Sequence, residues 1–111
     1  MLTLPIKKKW FDMIKSGEKK EEYREIKPYW FTRFNHSILH CMSDENLLIR
    51  YAKGFVIFKN GYQKNAPQIM CEVEITTDFG KPELGAEPNK LYYVLKILSV
   101  EEIWKMKQKK Y

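Results

Sequence analysis

One run of the chain gathers the side chains best suited to chemistry: Ser16-Gly17-Glu18-Lys19-Lys20-Glu21-Glu22-Tyr23-Arg24-Glu25. As a binding set, Arg24 offers a planar fork to a phosphate or a base edge, and Lys19 a point charge. Glu22 would orient both, or accept a hydrogen bond from an exocyclic amine. As a catalytic set, Lys19 would need its pKa lowered, by desolvation and by the charges of Lys20 and Arg24, to act as base or nucleophile near neutral pH. Glu22 would then relay the proton. If the run is a strand, alternation puts Lys20, Glu22 and Arg24 on one face and Glu21, Tyr23 and Glu25 on the other. A carboxylate then stands between two cations, with Lys19 at the turn. Such a row is costly to bury and solves no packing problem, so it makes sense where it meets something polar. The alternative is a charged helix from Lys15 to Glu25. Its like-charged i,i+4 pairs, Lys20 with Arg24 and Glu18 with Glu22, oppose it.

These residues need a framework. From Lys7 to Lys15, Trp10, Phe11, Met13 and Ile14 recur at helical spacing and predict an amphipathic helix whose apolar stripe packs on a core. Gly17 suits the helix end, with Lys15 in the last turn, where a cation is favoured. Ahead of it, Leu2, Leu4 and Ile6 alternate with Thr3 and Pro5 as a short strand would, Pro5 favouring an edge or the strand's end. Pro28 can open a second helix, and Tyr29, Trp30, Phe31 and Phe34 cannot all be exposed. They either plug one end of a barrel or form a wall on which a base stacks, with Arg33 near a phosphate. Both hold at once if Trp30 and Phe34, at i,i+4, face inward while Tyr29 or Arg33 lines a cleft.

The pattern Gly17-x-Lys19-x-x-Glu22-x-Arg24, after a short helix that follows an N-terminal strand, resembles the signature of the ASCH domains. These are the activating-signal-cointegrator homology group among the PUA-like β-barrels. All the signature positions match. The resemblance is most specific from Leu2 to Phe34, with a fainter echo in Lys59-Asn60-Gly61-Tyr62 and from Leu91 to Leu98. It implies a small closed or nearly closed barrel, a cleft between barrel and helices, and a nucleic-acid or nucleoside ligand in that cleft. Some ASCH proteins similar in these positions hydrolyse acylated cytidine with the motif lysine, a hydroxyl residue and a carboxylate. Here Glu22 occupies the place for the hydroxyl, and no serine or threonine lies between Lys19 and Glu25. Others resemble metal-independent ribonucleases, which need only a lysine, an acid and a phosphate clamp.

Further along, Leu47 to Tyr51 and Phe55 to Phe58 are β-like runs, with a turn expected at Lys53-Gly54. Asn60-Gly61 marks a hairpin. Its return strand is Ile69 to Ile75, with Ile69, Cys71, Val73 and Ile75 inward and Met70, Glu72 and Glu74 outward. The polar stretch between makes the hairpin long and its tip projecting. In the ASCH resemblance that tip is a lip of the cleft, which adds Asn60, Tyr62 and Lys64 to the candidates. Asp78 to Asn89 reads as an irregular surface loop, of a length often used for lids or binding segments; nothing orients its Glu83 and Glu87. Leu91 to Val100 predicts the last strand. Ser99 would then cap a final helix, Val100 to Met106, with Glu101 and Glu102 in its first turn. Asn35 to Asn46 carries little pattern.

At 111 residues the chain is one domain's worth, enough to bury a modest core without staples. A net charge of +6 permits a polyanionic partner without demanding one. Lysine-rich ends such as Lys7-Lys8-Lys9 and the tail are more often solvated than phosphate-bound. Cys41 and Cys71 form no motif, and Met1 to Ile6 is too short for a secretory signal, so both are expected as reduced thiols in a cytoplasmic protein. No apolar run reaches membrane-spanning length. His36 and His40 lack the further ligands that zinc needs, so neither metal nor cofactor is expected.

Residues and resemblance together predict an α+β protein. It would be a small PUA-like mixed β-barrel of about five or six strands with two or three short helices packed against it. A single ASCH/PUA-like domain would span 1–111, with a basic tail at 105–111. The candidate site is Lys19, Lys20, Glu22, Arg24, Tyr29, Trp30, Arg33, Asn60, Tyr62 and Lys64. It would bind RNA or a nucleotide, Lys19 and Arg24 gripping the backbone and Tyr29, Trp30 or Tyr62 stacking on a base. A second possibility is a small hydrolase of RNA or of an acylated nucleoside, with Lys19 as base or nucleophile. A third is a protein partner on the charged strand. The oligomeric state stays open.

Overall fold

A computed structural model describes residues 1–38, 42–43 and 46–102. In chain order the elements are β1 (Leu2–Ile6), α1 (Lys8–Ser16), β2 (Glu21–Glu25), α2 (Pro28–Ser37), β3 (Met42–Ser43), β4 (Ile49–Asn60), β5 (Gln68–Phe79) and β6 (Leu91–Glu102). A 3-10 turn at Pro82–Leu84 lies between the last two strands. The long antiparallel strands β4, β5 and β6 form the backbone of the sheet, β1 joins β4 in parallel, and β2 joins β6 antiparallel. The path is therefore β1-β4-β5-β6-β2, with β3 paired to β4 off it. This is a small α+β fold with a curled mixed sheet, a half-barrel, and two helices. The chain passes from one edge strand to the other through α1, so the early residues fall on both sides of the sheet's open seam.

Alternation builds the core. Ile69, Cys71, Val73 and Ile75 of β5 are buried and their neighbours are not, which gives β5 one wet face. They meet Leu4 and Ile6 of β1, Val56 and Phe58 of β4, and Tyr93 and Leu95 of β6. Phe11 and Ile14 of α1 and Phe34 of α2 complete the cluster. Helix α1 ends where Gly17, at φ 87°, donates its N–H to the Ile14 carbonyl.

Three expectations from the sequence need correction. The turn expected at Lys53-Gly54 does not form, and β4 runs straight through it. Gly54 serves a close approach instead. A Cβ there would stand 3.2 Å from Ile38 Cγ2, so a side chain at this position would press Ile38 outward by a few tenths of an ångström. The helix expected from Val100 is overridden through Glu102 because β6 continues, pairing Val100, Glu101 and Glu102 with Cys71, Met70 and Ile69. The open edge of β5 wins over the capping signal of Ser99. The rest of that helix, the tail, His40 and Cys41 lie outside the described residues. Lastly, the irregular loop begins later than expected. β5 extends to Phe79, and the segment 80–90 folds back onto the sheet, where Ala86 and Leu84 join Tyr23, Tyr92 and Val94 in a second small apolar cluster.

Cys71 is a free thiol with no exposure, and burial pushes its pKa up to about 12 from 9.0. Between those values the unfolded chain has released a proton that the folded chain keeps, so stability falls as pH rises. The expected loss is about 1.4 kcal/mol per pH unit above 9. Urea midpoints at pH 8, 9 and 10 would check this, comparing Cys41→Ser with Cys41→Ser/Cys71→Ala. The downward step of about one thiol proton should disappear in the double variant; an unchanged slope would assign it to another group.

Candidate functional site

The free edges of β1 and β2 border a cleft of about 620 Å³. Four consecutive residues of β2, Glu22 to Glu25, line it, which is possible because the cleft follows the strand's edge and so meets both of its faces. Pro5 and Ile6 supply the opposite border, Trp10 of α1 and Trp30 of α2 the ends, and Asn60, Gly61 and Tyr62 the lip from the β4–β5 connection. Leu84 and Gly85 arrive from the folded-back segment.

Glu22 organises the charges. Its Oε2 accepts from Arg24 Nη1 at 2.9 Å, and its Oε1 lies 3.4 Å from Lys19 Nζ. Arg24 Nη2 also donates to the Pro5 carbonyl at 3.1 Å, so one guanidinium bridges the two sheet edges. Arg24 lies over the Trp30 ring at 5.0 Å, and its Nε is buried without a hydrogen-bond partner among the described residues. Lys19 is only 1 % exposed. Its ammonium donates to the Leu84 carbonyl and rests on the rings of Trp10, at 4.4 Å, and Tyr23, at 5.0 Å. Burial pushes the Lys19 pKa below its ordinary value, with Glu22 pulling it back. Burial lowers Arg24 as well, again opposed by Glu22, yet a guanidinium keeps its charge across the physiological range. The Tyr23 phenol donates to Glu21 at 2.8 Å and accepts from the Lys81 N–H at 2.9 Å; burial holds it protonated well above its usual range.

The segment 80–90 seals this arrangement. Glu87 N–H donates to the Tyr92 hydroxyl at 2.9 Å. A Cβ on Gly80 would come within 2.5 Å of Ala86 Cβ and 2.8 Å of the Tyr23 ring, so only glycine lets the segment lie this close. The charged trio is thus walled by aromatic rings and backbone, where its interactions are stronger than in water.

Of the candidate residues, Glu22, Arg24, Trp30, Asn60 and Tyr62 line the cleft. Lys19 stands one layer behind it and borders a separate hollow of about 230 Å³. Lys20 does not complete the expected row: it is exposed and borders that second hollow with Gly17, so the carboxylate sits between Lys19 and Arg24. The reason is local, since β2 begins only at Glu21 and strand alternation does not reach Lys20. Tyr29 and Arg33 do not line the cleft either. They pair with each other on the exposed side of α2, 3.6 Å from Arg33 Cζ to the ring, and Trp30 takes the inward place. Lys64 is exposed in the β4–β5 connection, off the cleft.

The sequence offered little notice of Trp10, Tyr23, Leu84 and Tyr92. Trp10 belongs to a stripe that reads as core, and Tyr23 falls on the opposite strand face from Glu22. The one available signal for Leu84 was the length of its loop. Among the described residues no three His, Cys, Asp or Glu side chains cluster as a metal site, and no helix is long and apolar enough to cross a membrane. Comparison with known proteins returns no family model, no curated protein and no solved structure that matches this chain.

Proposed function

We propose that this is a PUA-like domain of the ASCH type that binds RNA or a nucleotide, admitting a single base to the cleft between β1 and β2. One observation carries the reading: an open cleft of about 620 Å³, the size of small-ligand sites, that joins aromatic walls to an ion network in which two cations share one carboxylate. Tyr62 offers a π face on which a base stacks, and Trp10 and Trp30 line the same cleft. Glu22 and Arg24 offer an acceptor and a cation, and Lys7 and Lys8 on the rim suit a phosphate. Tyr62, 86 % exposed at the lip, has apolar area that an incoming base would cover. Its partners would then be intracellular RNA or free nucleotides.

The test is a titration of intrinsic tryptophan fluorescence with single-stranded oligoribonucleotides at several salt concentrations. Saturable quenching is expected, with affinity falling in a log–log plot by roughly 0.7 per phosphate engaged. Arg24→Ala should abolish most of it. Quenching that ignores salt, or none at all in the folded protein, would remove the proposal.

A hydrolytic reading has one specific observation in its favour, the lowered pKa of a buried lysine beside a carboxylate. Lys19 stands behind the cleft, its ammonium held by the Leu84 carbonyl and covered by the rings of Trp10 and Tyr23, so catalysis would require these to part from it. Turnover of RNA or an acylated nucleoside that disappears in Lys19→Ala would establish that reading.

A further inference from the structure

We propose that the cleft discriminates among bases by the pattern of its ion pair, and that the pattern selects guanine. The inference rests on the nucleotide reading above and adds the specificity of the same site. A carboxylate held between two cations accepts hydrogen bonds and donates none. Each Glu22 oxygen is engaged once, Oε2 by Arg24 and Oε1 by Lys19, and each keeps acceptor capacity towards the cleft that Glu22 lines. The guest therefore has to bring two adjacent donors.

The common bases differ sharply on that point. Guanine presents N1–H and the N2 amine side by side. Adenine and cytosine place a ring acceptor next to their amine, which would face a carboxylate oxygen and repel it. Uracil has one N–H flanked by two carbonyls. The surroundings of Glu22 extend the match. Beside the Oε2 acceptor stands the Arg24 guanidinium, a donor that lines the same cleft. Guanine carries its O6 acceptor beside N1–H, where that donor can meet it. A base with an acceptor opposite Oε1 leaves a buried carboxylate oxygen facing a lone pair, a cost the site cannot relieve by hydration. Rejection of that kind is how a polar site discriminates more strongly than an apolar one.

The test uses the intact chain and its tryptophan fluorescence, with five probes: GMP, IMP, AMP, UMP and N1-methyl-GMP. GMP should bind roughly tenfold or more tightly than each of the others, the scale of one bidentate base contact. IMP lacks the N2 amine and N1-methyl-GMP the N1–H, so each deletes one donor of the pair without touching the protein. In Glu22→Gln, whose amide can rotate a donor towards the base, the preference should shrink; the probe series on the natural chain stands even if that variant folds poorly. Equal affinities for all five, or GMP preference that survives N1-methylation, would overturn the guanine inference and leave the nucleotide reading standing. Binding of none would overturn both.

Discussion

Replacing Glu22 with alanine should destabilise the fold by about 3–5 kcal/mol, because it strands two buried cations that share one counter-charge. Lys19 is 1 % exposed and the Arg24 side chain 15 %, so water cannot take over the role of the carboxylate. A domain of this size has about 5–15 kcal/mol in total, and the loss corresponds to a melting point lower by on the order of 15 °C. Differential scanning calorimetry would check this; a change under about 1 kcal/mol, the scale of a surface pair, would mean that the network is solvated. The companion variant Lys19→Met/Glu22→Leu/Arg24→Met removes all three charges together. It should recover most of that stability, since apolar replacement of a complete buried ion network is often neutral or better. It should also lose ligand binding entirely. Recovery of stability with loss of binding would show that these charges are kept for a guest and not for the fold.

Tyr93→Ala should cost a similar amount, about 3–5 kcal/mol, by a different route: an unfilled cavity at the centre of the sheet. Tyr93 has no exposed surface, meets Phe34 edge-on with centroids 5.4 Å apart, and donates its hydroxyl to the Leu47 carbonyl at 2.6 Å. Leu47 has φ 66°, an uncommon backbone for a leucine, and that hydrogen bond helps to hold it there. Tyr93→Phe separates the two contributions. It keeps the ring and removes the hydroxyl that the Leu47 carbonyl accepts from, a loss of about 1–3 kcal/mol. Urea midpoints for both variants would check the order. Equal losses would place the whole effect in the hydrogen bond and none in packing.

How much of this was legible depended on the range of the signal. Local periodicity sufficed for α1, the alternation of β5 and the hairpin after Asn60, since each is written in neighbouring residues. The half-barrel needed the parallel pairing of β1 with β4, which no local pattern records. Gly54 was misread because the contact that favours a glycine comes from Ile38, on a different element. Glu22 and Arg24 stood out because charge in a strand is costly without a purpose. Lys19 and Lys20 are adjacent and chemically alike, and only the late start of β2 decides which is buried. Tyr23 and Trp10 escaped notice because their cleft follows a strand edge, where the division into two faces that sequence patterns assume does not hold.

The parallel berth of β1, Leu2 opposite Val56 through Ile6 opposite Asn60, has a temporal consequence. During synthesis the motif residues emerge early, but nothing exists to enclose them until β4 has been made and β6 has brought Tyr92 and its neighbours to β2. Pairing across so long a stretch of chain is slow to search. The pocket is consequently among the last features to assemble. If the cleft takes the guest proposed above, half-made or half-folded chains would be blind to it, and it could trap the finished molecule but not template its construction.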